Sequence, residues 1–362
     1  MTTAKASRTA ATDSRTAFRS LKTVGGLMEN PLMKQEFSIP KLAAQLRTEA
    51  DAYKLLEELR WGTDGPEACP KCGAADRQYF LTPANGETRK TRTGKPTERR
   101  IWKCGHCRKK YSVLTDSIMH GTKIPIRTWL LVIFEFCSSK NSISAWEISR
   151  KYEVTNETAW HLLHRIREAM KFEPATGLFG GAVQVDESWI GGEPKNRHRN
   201  NPREQPRAYG TTDKQPIVSL VHYETRSAHT RVVADVTAKS LLPAIREVMD
   251  PERTHLHTDS AMAYRQIAPD FAAHEYVNHS VGEYVRGNIS TNLNEGYFSQ
   301  LKRSLDGTHH HVSVEHLQRY LHQFDFLYTH CKATDSERMR LVLSNAAGRR
   351  LTYRPLIAEV DF

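Results

Sequence analysis

Apolar positions recur at helical spacing in the first half of the chain and alternate at strand spacing in much of the second half. Residues 41–60 carry apolar residues three and four apart and end at a segment rich in Gly and Pro, which predicts an amphipathic helix. Pro125 opens a second apolar helix, because proline suits the first helical position, where its N–H would have no partner. Residues 81–100 are polar, basic and rich in turn formers, which predicts a hairpin or loop.

Two further helical patterns lie within residues 141–171, around a short turn at Glu153 and Val154. Thr155 or Asn156 can cap the second helix. Its inward stripe is predicted to be Ala159, Leu162, Leu163, Ile166 and Met170. Two helices joined so tightly after a third favour a helix-turn-helix, although the same pattern also describes two packed helices. If the motif binds DNA, its outward candidates are Asn156, Glu157, His161 and Arg165.

From Gly181 onward, short apolar runs with alternating polarity predict strands interrupted by helices. Strands are expected within 181–192, 215–224 and 228–236, a helix within 238–249, and another strand that runs into a turn within 253–264. A short strand at 274–280 and a helix at 290–304 complete the pattern. The order β-β-β-α-β, followed by a strand and a helix, predicts an α/β layer fold with a mixed sheet.

The length of 362 residues exceeds one usual domain, and two or three units are expected. No secretory segment and no apolar run of membrane-spanning length is apparent, which predicts a soluble cytoplasmic protein. Lys and Arg number 52 against 41 acidic residues, and this net charge of +11 favours a polyanionic partner, although many basic surfaces bind no nucleic acid. Residues 1–35 are polar and basic, so we expect a disordered tail, with Met28 or Met33 as possible starts.

Four of the 6 cysteines form two Cys-x-x-Cys pairs. The pairs are Cys69 with Cys72 and Cys104 with Cys107. Each such turn points two thiolates at one centre, and two turns complete a tetrahedral site, so we expect a structural zinc ion. Four thiolates leave no coordination role for the intervening His106, and Cys137 and Cys331 are expected to be packing residues.

Three carboxylates in the second half are candidates for catalysis: Asp186 at the end of the first strand, Asp259 just after a later strand, and Glu295 on the final helix. If these strands are neighbours, the three converge at one edge of the sheet. Crowded carboxylates repel one another unless cations lie between them, and two Mg²⁺ ions would suit phosphodiester displacement. Each also has an ordinary explanation: Asp186 as a turn residue, Asp259 as a helix cap.

For Glu295 the ordinary explanation is a capping box with Asn292. Lys302 lies seven residues after Glu295, on the same helix face, and can be solvated charge or a phosphate contact. Alternation along the strand turns Glu187, the neighbour of Asp186, to the opposite face of the sheet. Arg303 and His309 to His311 could also meet DNA, and the three histidines could instead bind a surface metal ion.

These motifs together resemble the DDE-type transposases of bacterial insertion sequences, in the family with an N-terminal zinc ribbon and a ribonuclease H-like catalytic domain. The matching stretches run in the family's order: LRWGTDGPEACPKCG, WKCGHCRKKYSVLTDS, ISAWEISRKYEVTNETAWHLLHRIREAM, VDESWIGG, HTDSAMAY, HSVGEYVRG, TNLNEGYFSQLKRSL and VSVEHLQRYL. They cover about residues 55–325.

The resemblance implies a catalytic triad of Asp186, Asp259 and Glu295, with Lys302 as the basic residue near DNA and Asn292 as the asparagine that accompanies the glutamate. Two positions depart from the family's pattern. Ser290 stands where a histidine is usual, and Leu327 stands where an arginine follows the aromatic pair. Neither departure removes a metal ligand.

The implied fold is a ribonuclease H-like mixed α/β sheet with flanking helices, preceded by a zinc ribbon and a helical helix-turn-helix region. We therefore expect a helix and zinc ribbon at 36–122, helix-turn-helix-like helices at 123–175, the catalytic domain at 181–330 and an unassigned tail at 331–362. The last thirty or so residues show no interpretable pattern.

The implied activity is cleavage at the ends of an insertion sequence and joining of the 3′-hydroxyls to target DNA, with two Mg²⁺ or Mn²⁺ ions and a structural Zn²⁺. The expected partners are terminal inverted repeats, target DNA and at least one further copy of the chain, with no membrane and no small-molecule substrate. Two alternatives stay open: a domesticated, non-catalytic DNA-binding protein, and a ribonuclease H-like nuclease that cuts without joining.

Overall fold

The computed structural model describes residues 35–82, 89–91, 93–94, 96–171, 179–191, 214–278, 285–286, 289–353 and 356. The predicted basic tail therefore lies outside the described residues, except for its last position. No helix in the described ranges has the length and apolar composition needed to cross a membrane.

The helix predicted at 41–60 is two helices, α1 (Ile39–Gln45) and α2 (Glu49–Trp61). The break arises because Thr48 and Asp51 form a capping box that starts a new helix, with each side chain accepting from the other's backbone N–H. Helix α2 ends at Gly62, where φ is 79°, a conformation that glycine adopts without steric cost.

The ribbon that follows contains β1 (Gln78–Phe80), β2 (Arg89–Lys90), β3 (Pro96–Thr97), β4 (Trp102–Cys104) and β5 (Lys110–Tyr111). Strands β1, β4 and β5 form an antiparallel sheet, and β2 pairs with β3 as the predicted hairpin. The Glu57 carboxylate of α2 accepts from the Trp102 indole at 3.0 Å and from Arg100 at 2.6 Å. This buried carboxylate therefore fixes the ribbon to α2.

Three helices continue the chain: α3 (Ile126–Ser138), α4 (Ala145–Tyr152) and α5 (Asn156–Met170). The predicted turn is present, because Glu153 ends α4 with a left-handed φ of 53° and Thr155 caps α5 by accepting from the Thr158 N–H. The predicted inward stripe of α5 is fully buried, so this part of the sequence reading is confirmed.

A five-stranded mixed sheet forms the second half of the chain. Its strands are β6 (Phe179–Ile190), β7 (Gln215–His222), β8 (Ala228–Val232), β9 (Met249–Thr258) and β10 (Ala273–Tyr276), in the spatial order β10-β9-β6-β7-β8. Strands β6, β7 and β8 are antiparallel, whereas β9 pairs parallel to both β6 and β10. This is the ribonuclease H-like mixed sheet that the sequence predicted.

Helices cover both faces of this sheet. Helices α6 (Ala238–Arg246) and α7 (Met262–Ile267) pack on the face that carries Val183, Val185 and Leu256. A short hairpin of β11 (Val285–Arg286) and β12 (Ile289–Ser290) leads to α8 (Asn292–Ser304). Helix α8 and α9 (Val314–Thr329) pack on the other face, against Ile217 and Val221.

The C-terminal segment returns to the N-terminal helices. Helix α10 (Asp335–Ser344), which the sequence did not predict, adds Met339, Val342 and Leu343 to the core formed by α1 to α5. The Phe37 N–H donates to Ser336 Oγ at 2.7 Å, which closes this packing. A single core therefore runs across the predicted boundary at residue 123 and includes part of the stretch left unassigned.

Helix α9 connects this helical unit to the sheet. Arg167 of α5 is completely buried, donates to Gln323 Oε1 at 2.9 Å and lies 3.8 Å above the Tyr320 ring. At the edge of the same contact, Arg319 pairs with Glu168 at 3.0 Å. These buried polar contacts fix the orientation of the two units relative to each other.

Candidate active site and metal centre

The four ribbon cysteines form a compact group. Their Sγ atoms all lie within 4.8 Å of one another, and the Cys69–Cys107 and Cys72–Cys104 pairs are each 3.7 Å apart. A tetrahedral zinc ion with Zn–S bonds of about 2.3 Å requires sulfur atoms about 3.8 Å apart. The spacing and the donor chemistry therefore fit zinc.

Backbone geometry prepares these thiols for metal binding. The N–H groups of Cys107 and His106 donate to Cys104, and these hydrogen bonds lower the pKa of its thiol to about 6. Burial acts in the opposite direction on Cys69 and raises the pKa of its thiol to about 11. His106 takes no place among the sulfurs, because its Nε2 lies 2.9 Å from Asp76 Oδ1.

Asp186 lies on β6, and Asp259 directly follows the neighbouring parallel strand β9. The last residues paired between β6 and β9 are Gln184 and His257, and each aspartate follows its strand's last paired residue by two positions. The sequence suggested that Asp186 ends its strand. It does not, because β6 continues to Ile190 and stays paired with β7. Asp259 follows β9 directly, and its Oδ1 accepts from the Ala261 N–H at 2.9 Å. The same register brings both carboxylates to one part of the sheet.

The electrostatics of nearby groups reflect this proximity. Burial, together with the nearby Asp186 and Asp259 carboxylates, raises the pKa of Glu187 to about 7. Burial and the same carboxylates raise the pKa of Tyr264 on α7. Glu187 thus lies on the α7 face, opposite Asp186, as alternation along the strand predicts. The site carries a negative potential that a cation would relieve.

Gln184 connects the start of α8 to β6. Its buried amide donates to Ser290 Oγ at 3.0 Å and accepts from the Leu293 N–H at 3.0 Å. Gln184 and Asp186 alternate onto the same face of the sheet, so this contact brings the first turn of α8 beside Asp186. One of these two hydrogen-bond partners of Gln184 is Ser290, the residue that stands where the family usually has a histidine.

Glu295 and Lys302 are both exposed on α8, which agrees with their predicted common face. The alternative capping box is absent, since Asn292 begins the helix, Thr291 is its N-cap and no side chain caps it. Within the described residues, only the four cysteines form a group of three or more potential ligands that lie close enough together to hold one metal ion. The structure therefore brings Asp186 and Asp259 together without gathering Glu295 into an equally compact group.

A buried network holds the middle of α8 against the sheet. Asp325 of α9 accepts from the Tyr297 hydroxyl at 2.7 Å and from the Thr230 N–H and hydroxyl, both at 2.8 Å. Burial raises the pKa of Asp325, and the three donors act in the opposite direction. Thr230 Oγ1 also lies 3.3 Å from Ser219 Oγ, and Ser219 pairs with Asp186 across β6 and β7. Sequence reasoning missed this network and Gln184, because isolated polar residues in apolar segments carry no periodic pattern.

Arg165 was wrongly expected to face outward, and His309 is partly covered. Arg165 is buried, where it donates to the His120 carbonyl at 2.8 Å and lies 5.0 Å from the Trp129 ring centroid, so it does not face outward. His309 is half-buried, lies 3.1 Å from Ser142 Oγ, and has its pKa lowered to about 3 by burial. The exposed part of α5 is its first turn, which contains Glu157.

Comparison with known proteins supplies independent information. Residues 178–329 match the ISXO2-like transposase domain, and residues 47–110 match the transposase zinc-ribbon domain. An uncharacterized protein in transposable element ISH50 of Halobacterium salinarum is 25% identical over 306 residues, which cover 83% of this chain and 97% of that protein.

One solved structure among those that match is a cryo-EM structure of the simian T-cell lymphotropic virus intasome in complex with PP2A regulatory subunit B56 gamma. The match has 15% identity and a TM-score of 0.25, and it covers 53% of this chain and 66% of the other. A similarity of this size carries no argument about the present chain.

Proposed function

We propose a specific reaction for this chain, which belongs to the DDE-type insertion-sequence transposases with an N-terminal zinc ribbon: it cuts the ends of its element and joins the freed 3′-hydroxyls to target DNA. The observation that carries the proposal is the parallel register of β6 and β9, which aligns Asp186 with Asp259. The docking of α8 by Gln184 supports it, because Glu295 lies on the first turn of that helix.

The donor set suits a hard divalent cation. Asp186, Asp259 and Glu295 offer carboxylate oxygens, which Mg²⁺ and Mn²⁺ prefer, and no sulfur or imidazole ligand is involved. Such ions would activate the attacking oxygen and stabilise the leaving oxygen of a phosphodiester displacement. The negative potential that contributes to the raised pKa of Glu187 favours their binding.

Each side chain then has a defined task. Asp186 and Asp259 would hold the cations from the sheet, and Glu295 would complete the ligand set beside the bound DNA end. Lys302 on the same exposed face holds a phosphate of the DNA as a point charge. Asn292 at the start of the helix orients the adjacent DNA strand. Water is the first nucleophile and the 3′-hydroxyl the second, so no covalent link between protein and DNA is required.

The N-terminal half supplies DNA recognition. The zinc ribbon and the exposed first turn of α5 contact the terminal inverted repeats, and a structural Zn²⁺ maintains the ribbon. Bringing two element ends together requires at least a dimer. The reaction takes place in the cytoplasm, where the element's DNA and the target DNA meet.

The test is cleavage of a duplex that carries the element's own end, with Mg²⁺ or Mn²⁺ present. Glu295→Ala should cut at least about a hundredfold more slowly, because it removes a ligand from the site that stabilises the transition state. Glu187→Gln is the matched control, since Glu187 is the carboxylate that faces α7, and it should retain most activity. Should Glu295→Ala cut as fast as the parent protein, the proposed ligand set is wrong.

A further inference from the structure

A second charged feature lies away from the catalytic edge of the sheet. An open groove of about 1240 Å³ separates the β2–β3 hairpin and β5 from the start of α2 and the loop before α3. We call it the ribbon groove. Five cationic side chains line it: Arg89, Lys90, Arg99, Lys110 and Lys123.

The acidic residues of the ribbon groove are already engaged. Glu49 accepts from the N–H groups of Ile126 at 2.6 Å and Arg127 at 3.2 Å, which caps α3. Glu98 accepts from the Ala50 N–H at 2.6 Å, which caps α2. Carboxylates at helix N-termini are held by several backbone donors and by the helix dipole. Both carboxylates keep their negative charge, but five cations against two carboxylates leave the lining with an excess of three positive charges.

Four of the five cations, all except Arg89, are exposed. Lys90, Lys110 and Lys123 all project to solvent. Within the described part of the chain, their ammonium groups form no ion pair or side-chain hydrogen bond. The Arg99 guanidinium is oriented by a 3.1 Å hydrogen bond to Ser112 Oγ. The groove therefore presents a wall with a net positive charge, contributed by both the ribbon and the loop before α3.

We propose that the ribbon groove binds the phosphate backbone of a DNA duplex. Its volume exceeds the range of about 300–1,000 Å³ that is usual for small-molecule pockets. Lysine and arginine side chains spread over such a surface match a polyanion, and contacts to phosphate set the position of a duplex without reading its sequence. That this duplex is an element end rests on the proposed function.

The experiment compares two triple variants of the full-length protein. Lys90→Gln/Lys110→Gln/Lys123→Gln removes three charges from the ribbon groove. The control removes three exposed lysines elsewhere, in the changes Lys41→Gln/Lys239→Gln/Lys332→Gln. Both reduce the net charge from +11 to +8, because each removes three positive charges. Zinc content and circular dichroism verify that each variant is folded.

Duplex affinity is measured between 50 and 200 mM salt, on the element end and on a scrambled duplex. Three lost phosphate contacts reduce the slope of log affinity against log salt by about 2.7, since each contributes about 0.9. The parent should therefore lose about 40-fold more affinity than the groove variant over this range. The control should follow the parent, and both duplexes should give the same difference.

A slope unchanged by the groove variant, or equally reduced by the control, would overturn the proposal. A gain-of-charge variant supplies an independent check, because Thr91→Lys on the same wall should steepen the slope by about 0.9. Cleavage separates this proposal from the proposed function. A reduced slope in a protein that never cuts DNA supports the groove alone, and normal cutting with an unchanged slope supports the reaction alone.

Discussion

Replacing Gln184 with Met tests how the start of α8 is held beside Asp186. Met keeps the length and most of the volume of the buried side chain but loses both hydrogen bonds, to Ser290 Oγ and from the Leu293 N–H. Each neutral hydrogen bond contributes about 0.5–1.5 kcal/mol, and a buried N–H left without an acceptor costs a further 1–3 kcal/mol, roughly. Added together, the free energy of unfolding should fall by about 2–6 kcal/mol.

The same change should slow DNA cleavage more than stability alone explains. A displacement of Glu295 by about 1 Å can cost about a hundredfold in rate, since catalysis depends on the relative position of the ligands. The assay measures the cleavage rate at saturating DNA, at a temperature where every variant is folded. Gln184→Met should cut roughly 10- to 100-fold more slowly than the parent.

Leu343→Ala is the stability-matched control. Leu343 is fully buried in the N-terminal helical core, away from the sheet, and its truncation costs about 2–5 kcal/mol. This variant should be destabilised to a similar degree but cut at the parent's rate. If Gln184→Met loses stability and still cuts as fast as the parent, Gln184 does not position α8 for catalysis.

Three further predictions follow from the described contacts. Purified protein should contain about one zinc ion per chain by metal analysis, and Cys104→Ser should lose it whereas His106→Ala, beside Asp76, should keep it. Burial lowers the pKa of His322 to about 3, below its ordinary value of about 6.5. The free energy of unfolding is therefore unaffected by this group above pH 6.5 and decreases as the pH falls toward 3, because protonation then favours the unfolded chain. Denaturant unfolding between pH 7.5 and 5 should show this loss, and His322→Gln should weaken it. Arg165→Met should lower the thermal midpoint without changing the salt dependence of DNA binding, because Arg165 is a buried packing residue.

Most of the sheet could be predicted from the sequence, because apolar and polar residues alternate along its strands and its turns contain residues that end regular secondary structure. Val183 and Val185 are both buried where alternation put them, and Glu187 lies on the same face. The capping box at Thr48 and Asp51 was readable in principle, but helical spacing on both sides of it concealed the break. Helix α10 escaped notice because its buried residues complete a core whose other members lie hundreds of positions earlier.

The candidate site was only partly predictable. The sequence predicted that Asp186 and Asp259 are close only if their strands are neighbours, and β6 and β9 are indeed paired. The end of β6 was not predictable, since pairing with β7 extends the strand past Asp186. Arg165 was expected to face outward because helical periodicity places it away from the apolar stripe of α5. Periodicity does not show which other segments of the chain cover that side of the helix. Gln184 and Asp325 act through hydrogen bonds to residues far away in the chain, which leave no trace in the local sequence.

Strand joining distinguishes a transposase from a nuclease that only cuts DNA. The substrate is a duplex that carries the element end with its 3′-hydroxyl already exposed, mixed with a target plasmid and Mg²⁺. The account predicts that the parent protein links this 3′-hydroxyl covalently to the plasmid and that Asp186→Ala, Asp259→Ala and Glu295→Ala do not. Nicked or linear plasmid without any joined product would instead identify a nuclease, and joining by Glu295→Ala at the parent's rate would refute the proposed ligand set.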